Sequence, residues 1–111
     1  MTDESKATGN QPVDLLELIT YQKKSVVSRQ ILKRKSGTIT LFAFDKDEGL
    51  SEHTAPFEAF IFVLEGMAEV TINKEAFIVK ENESIILPAN IPHAVKAPEQ
   101  FKMLLVMLRA E

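Results

Sequence analysis

From Ser25 onward the chain alternates between short apolar runs and polar punctuation. Val26, Val27, Ile31 and Leu32 lead into Lys33-Arg34-Lys35-Ser36-Gly37, and Thr38–Phe44 follows. Two β-prone runs around a short polar segment containing glycine predict an antiparallel hairpin. Asp45–Gly49 then reads as a charged turn. Further strand-like runs occur at Phe57–Leu64, Ala68–Ile72, Ala76–Val79, Ser84–Leu87, His93–Lys96 and Phe101–Leu108. Glu65-Gly66, Asn73-Lys74, Glu81-Asn82 and Pro88–Pro92 divide them. Many short strands, punctuated by turn residues and without helical periodicity between them, predict an all-β sandwich or barrel. No internal repeat is evident.

The N-terminal part differs. Residues 1–12 are polar, carry Gly9 and end at Pro12, and are expected to form a flexible tail ahead of a single domain over 13–111. Val13, Leu15, Leu16, Leu18 and Ile19 cluster behind Asp14, which favours a short helical turn or coil packed on the barrel over a strand. Two of the strand-like runs are apolar on both faces. Phe57–Leu64 is one; Phe101–Leu108 is the other, with Met103, Leu105 and Met107 on one side and Leu104, Val106 and Leu108 on the opposite side. A barrel wall needs only its inner face apolar, so the outer faces call for a cover. The N-terminal segment supplies part of that cover in this reading, and a second copy of the chain the rest. A homodimer is expected.

Composition narrows the chemistry. The 111 residues carry a net charge of −3, which gives no general attraction to nucleic acid or to an acidic membrane surface. The basic triplet Lys33–Lys35 reads as a solvated hairpin tip, and one tyrosine with no tryptophan leaves no platform for stacking bases. Absence of cysteine excludes disulfides, thiolate catalysis and cysteine-ligated zinc. No apolar run approaches the roughly 20 residues of a membrane helix, and Met1–Lys6 lacks the features of a signal peptide. No nucleic-acid partner, no membrane and a cytoplasmic location are the expectations. Ser51-Glu52-His53 does not have the spacing of a hydrolytic triad, and the four glycines form no phosphate-binding loop.

The chemistry-bearing residues lie between His53 and His93. Gly49, His53 and Gly66 in the first block, and Pro88 and His93 in the second, resemble the two motifs of the cupin superfamily of jelly-roll β-barrels. Ala55 stands at the position of that family's second histidine and Ala59 at that of its glutamate, while Asn82 and Asn90 replace the glycines of the second motif. Asparagine tolerates left-handed backbone better than most residues, so both turns survive that exchange. The resemblance spans roughly residues 25–108 and implies a small single-domain cupin with a degenerate metal motif.

In metal-binding cupins two histidines and a glutamate of the first motif, with the histidine of the second, hold one divalent ion. Carried over by position, only His53 and His93 remain as ligands. Glu58 adjoins Ala59, but strand alternation turns it outward unless a bulge after Pro56 rotates it in. Two imidazoles alone hold an ion weakly. No cofactor is therefore firmly implied, and an iron, manganese, nickel or zinc ion on His53 and His93 stays open as the alternative. Alternation also sets Ala55, Ala59, Ile61 and Val63 on the same side as His53, facing the interior. Two alanines in place of polar ligands then leave a largely apolar pocket lined by His53, Ala55, Ala59, Ile61, His93 and Met103. Its competitor is collapse of Phe42, Phe44 or Met103 into the space. The functional expectation is a barrel that binds a small organic molecule in its interior. The alternative is a metal-dependent dioxygenase, isomerase or lyase. No catalytic residue is assigned.

Overall fold

A computed structural model of the chain describes residues 10–109; most of the expected flexible tail, residues 1–9, lies outside the described residues. Among the described residues, nine strands follow a single 3-10 turn at Leu15–Leu18. Asp14 caps that turn by accepting a hydrogen bond from the backbone N–H of Leu16 at 3.0 Å, which satisfies a donor the turn leaves free.

The strands are β1 (Val26–Arg34), β2 (Gly37–Phe44), β3 (Gly49–His53), β4 (Phe57–Glu65), β5 (Met67–Ile72), β6 (Glu75–Lys80), β7 (Ser84–Leu87), β8 (His93–Lys96) and β9 (Phe101–Arg109). They form two antiparallel sheets, ordered β1-β2-β9-β4-β7 and β3-β8-β5-β6. The architecture is a jelly-roll-type barrel in which inner faces of both sheets interdigitate. Phe44, Ile61, Val63, Val70, Phe101 and Met103 are among its fully buried side chains. Phe44 stacks on Phe101 with ring centroids 4.5 Å apart.

The hydrophobic pattern marks no strand between Phe44 and Phe57, yet β3 is one. It is an edge strand with only Leu50 half-buried, so it carries no apolar alternation. Its existence corrects the strand count and the route by which His53 comes to face the interior. The chain leaves β3 after His53, passes through Thr54–Pro56 and enters the other sheet at β4. Strand parity therefore does not run unbroken from His53 to Ala59. Histidine and alanine face each other from different sheets.

The turn residues take the backbone their positions demand. Asn82 and Asn90 have φ of 69° and 65°, and Asn73-Lys74 turns the β5–β6 hairpin with φ of 49° and 71°. Gly66 has φ of 82° at the β4–β5 turn, and a Cβ there would collide with the carbonyl oxygen of Gln100 and with Phe101.

The outer face of the large sheet is apolar in its central strands. Leu41 and Ala43 are fully buried there, beneath Ile19, Leu15 and Leu18 of the N-terminal segment. Two cations fasten that segment. Lys102, only 8% exposed, donates its ammonium to the Leu16 carbonyl at 2.8 Å and holds it 5.2 Å from the centre of the Tyr21 ring. Arg29 donates to the Leu18 carbonyl at 2.9 Å. Tyr21 donates to Glu65 at 2.6 Å, and burial followed by that carboxylate pushes its hydroxyl pKa upward. Toward the strand ends the face is open among the described residues: Phe60, Ile86 and Leu108 are exposed. No helix among the described residues is long and apolar enough to cross a membrane.

Gly66→Ala should destabilise the fold by about 1–3 kcal/mol, because the new side chain meets both a positive φ and a backbone contact. Asn82→Gly, which relaxes the same kind of backbone without a contact to lose, should leave the unfolding free energy from urea melts within about 0.5 kcal/mol of wild type. Equal midpoints for the two variants would contradict this account.

Candidate functional site

His53 and His93 are direct cross-strand partners on β3 and β8 of the small sheet. Their ring centroids are 4.4 Å apart and the rings meet edge to face at 69°. Each ring is oriented by the backbone carbonyl two residues before it. His53 Nδ1 lies 2.8 Å from the Ser51 carbonyl oxygen, and His93 Nδ1 lies 3.1 Å from that of Ile91. A carbonyl oxygen can only accept, so each Nδ1 bears a hydrogen and each Nε2 is left with its lone pair in the neutral ring.

The loops of the two motifs are tied together beside the histidines. Asn90, whose left-handed backbone turns its N–H inward, donates to the Ala55 carbonyl at 2.8 Å. Ala55 thus sits on the crossover between sheets, not on a strand.

The rings border a narrow cavity between the sheets, about 60 Å³ in volume. His53, Ala55, Ala59, Ile61, His93 and Met103, the six residues expected around a pocket, all line it. So do Leu50, Phe57, Leu87, Val95, Leu105 and Met107. Alternation along β9 marks Leu105 and Met107 as companions of Met103; Leu50, Phe57, Leu87 and Val95 carry no signal beyond being apolar. Phe42 and Phe44 do not enter the cavity, and Met103 forms part of its wall. His53 is exposed at the mouth and His93, 8% exposed, is held inside. A larger depression of about 610 Å³ lies elsewhere, lined by Tyr21, Asp45, Glu65 and Glu99 among others. It is open surface, and its Asp45 and Glu65 carboxylates already accept from Lys24, Gln100 and Tyr21.

Glu58 is exposed on β4, on the face opposite the buried Ala59. The irregularity in the β4–β9 pairing falls between Val63 and Glu65, far from Pro56, so no bulge turns Glu58 inward. That corrects its inclusion as a ligand. Among the described residues no three His, Asp or Glu side chains converge where an ion could be held. The two Nε2 lone pairs have the tautomer that metal ligation uses, but the donor set stops at two and does not fit a resident first-row metal.

A family model described as a cupin domain matches residues 40–108. The chain is a cupin. Solved structures agree. A conserved protein of unknown function from Streptococcus pyogenes superposes with a TM-score of 0.88 at 36% identity, covering 93% of this cupin and 90% of that chain. A cupin 2 conserved barrel domain protein from Leptotrichia buccalis is 40% identical with a TM-score of 0.85, over 87% of this cupin and 47% of that chain. Among curated proteins, the polyketide synthase CurC of Streptomyces cyaneus is 29% identical over 87 residues, 73% of this cupin. The cupin spans only 56% of that relative's length.

Burial lowers the His93 pKa below its ordinary 6.5 and the neighbouring His53 lowers it further, while the Ile91 carbonyl acts in the opposite direction. The unfolded chain therefore takes up a proton near pH 6.5 that the folded cupin still refuses. Stability from this group is complete above the ordinary value and is lost as pH falls through 6.5 toward the depressed folded value. Melting temperature followed from pH 8 to pH 5 should fall more steeply for wild type than for His93→Gln. Parallel curves would show that His93 is not held neutral by its surroundings.

Proposed function

We propose that this cupin binds a small organic molecule inside the barrel, entering past His53 and resting against His93. One observation carries the reading: the cavity wall is apolar except for two imidazoles, and those imidazoles are oriented by backbone carbonyls. A few fixed polar groups in an apolar concavity are the usual form of a small-molecule site. The volume of about 60 Å³ is well below the usual drug-sized range, so the buried part of the ligand has only a handful of non-hydrogen atoms. The name of the Streptomyces cyaneus relative suggests a class to try first, oxygen-bearing carbon chains.

A second reading, a metal-dependent cupin enzyme, is supported by the free Nε2 atoms of His53 and His93. In it those two atoms would be the ligands, and an iron, manganese, nickel or zinc ion would act as a Lewis acid. The missing third and fourth ligands favour the first reading.

The open part of the large sheet's outer face supports a homodimer. Ile39, Phe60, Phe62, Val106 and Leu108 stand side by side there on β2, β4 and β9, as the register of these strands requires. A second copy offers the same apolar strip in return, the self-complementary arrangement a two-fold dimer uses.

Ala59→Leu should fill the cavity from its wall while keeping the fold. A ligand-observed NMR screen of fragments with about five to ten heavy atoms should give hits with wild type that vanish with this variant. Zn(II) or Mn(II) titrated into the same wild-type sample should bind no tighter than micromolar, and stoichiometric metal at higher affinity would move the case to the enzyme. Hits that persist in Ala59→Leu would remove the interior site. For the assembly, Val106→Glu should lower the light-scattering mass from dimer to monomer with the β-sheet circular dichroism preserved; a monomeric wild type would end the dimer reading.

A further inference from the structure

The hydrogen-bonding character of the cavity is one-sided. It follows from the two backbone contacts of the imidazoles. Because Ser51 and Ile91 supply carbonyl oxygens, both Nδ1 atoms are committed as donors, at 2.8 Å and 3.1 Å. The neutral ring has one N–H only, so both Nε2 atoms are acceptors. No other lining side chain changes this balance. The rest are hydrocarbon or the thioethers of Met103 and Met107, which are weak acceptors. At the crossover the Ala55 carbonyl already accepts from the Asn90 N–H. Among the lining side chains no hydrogen-bond donor faces the cavity.

We propose that the cavity selects a neutral ligand presenting a hydroxyl, as an alcohol or an enol, to the Nε2 atoms of His53 and His93, and rejects a carbonyl or carboxylate group of the same shape. This rests on the small-molecule reading above and gives it a ligand class. A ligand carbonyl brought into the cavity gives up its hydrogen bonds to water and meets only acceptors among the lining side chains. A hydroxyl gives up the same water and regains a bond to imidazole nitrogen. The difference is that between a satisfied and an unsatisfied polar group in an apolar surrounding, about tenfold or more in affinity. Two acceptors side by side, their rings 4.4 Å apart, also accommodate hydroxyls on adjacent carbons. The ligand is held as its hydroxyl form, with no covalent step required.

The test uses 2-butanol and 2-butanone, which share shape and heavy-atom count and are small enough to insert the end that bears the oxygen into a cavity of about 60 Å³. Full-length protein labelled with ¹⁵N is titrated at pH 8, where imidazole is neutral, and both backbone amide and ring-nitrogen resonances are followed. The ring spectra of the free protein should show Nδ1–H and bare Nε2 on both histidines. 2-Butanol should shift the Nε2 resonances and bind at least tenfold more tightly than 2-butanone. Equal or tighter binding of the ketone at the same resonances overturns the hydroxyl preference and leaves the interior site intact. An Nε2–H tautomer on either ring also overturns it. If neither probe shifts cavity resonances, the small-molecule reading fails and this inference fails with it. In His93→Phe, which keeps the ring volume and removes an acceptor, the ratio between the two probes should shrink toward one; an unchanged ratio shows that His93 is not the acceptor.

Discussion

The pairing of β4 with β9 at the centre of the large sheet is what the rest of the molecule answers to. Both strands are apolar on both faces, so hydrogen bonding between them creates two hydrophobic surfaces at once. The inner surface is closed by the small sheet, whose Val70, Val79 and Val95 meet Ile61, Val63 and Met103. Among the described residues the outer surface has no second sheet. Its covered part is roofed by residues upstream of β1, which explains why a lysine is buried in the middle of a β-barrel wall. Lys102 lies beside Phe101 and Met103 but points the other way, and its ammonium donates to the Leu16 carbonyl within the 3-10 turn. Burial of a cation is unfavourable unless it is paired and hydrogen-bonded. Leu16, the Tyr21 ring and Glu65, 4.0 Å away, meet that requirement together. The roof is thus held by polar groups at its edges and by Ile19 packing on Leu41 and Ala43 beneath it.

The site depends on the same sheet pairing. Ala59 and Met103 reach the cavity because they lie on the inner faces of β4 and β9; the histidines reach it from the opposite sheet because β3 and β8 pair in a register that sets them side by side. The crossover at Thr54–Pro56 joins the two halves, and the Asn90–Ala55 hydrogen bond closes it. Cavity shape is therefore set by both sheets, and neither motif alone forms it.

Much of this was legible in the residue pattern, and the parts that were not share a physical cause. Alternation and turn residues mark eight of the nine strands within a few residues, since each of those has either an apolar face or two. β3 escapes because an exposed edge strand needs no apolar partner for Ser51 and Glu52. Positive φ at Asn82 and Asn90 follows from asparagine standing where the family has glycine. Buried Lys102 could not be read from its surroundings in sequence: its acceptor, Leu16, is 86 residues away. The outward side chain of Glu58 follows from simple alternation. Cavity size does not, because it is set by how far Phe57, Leu105 and Met107 extend across the barrel once folded.

Replacing ligands by Ala55 and Ala59 changes what the two remaining histidines require. In a metal-holding barrel the ion occupies the Nε2 lone pairs. Without the other ligands, the two acceptors border hydrocarbon, His53 at the exposed mouth and His93 inside. A water molecule donating both hydrogens would serve them, and a cavity of about 60 Å³ has room for it. Any organic ligand has to replace that water. Its hydroxyl can restore one of the hydrogen bonds, which confers selectivity and little net affinity. Affinity then comes from carbon, at about 0.8 kcal/mol for each methylene moved out of water against Leu50, Ile61 and Leu87. On the proposed reading, the two alanines shift the site from one that holds an ion by charge to one where hydrocarbon supplies the binding and the imidazoles supply the choice.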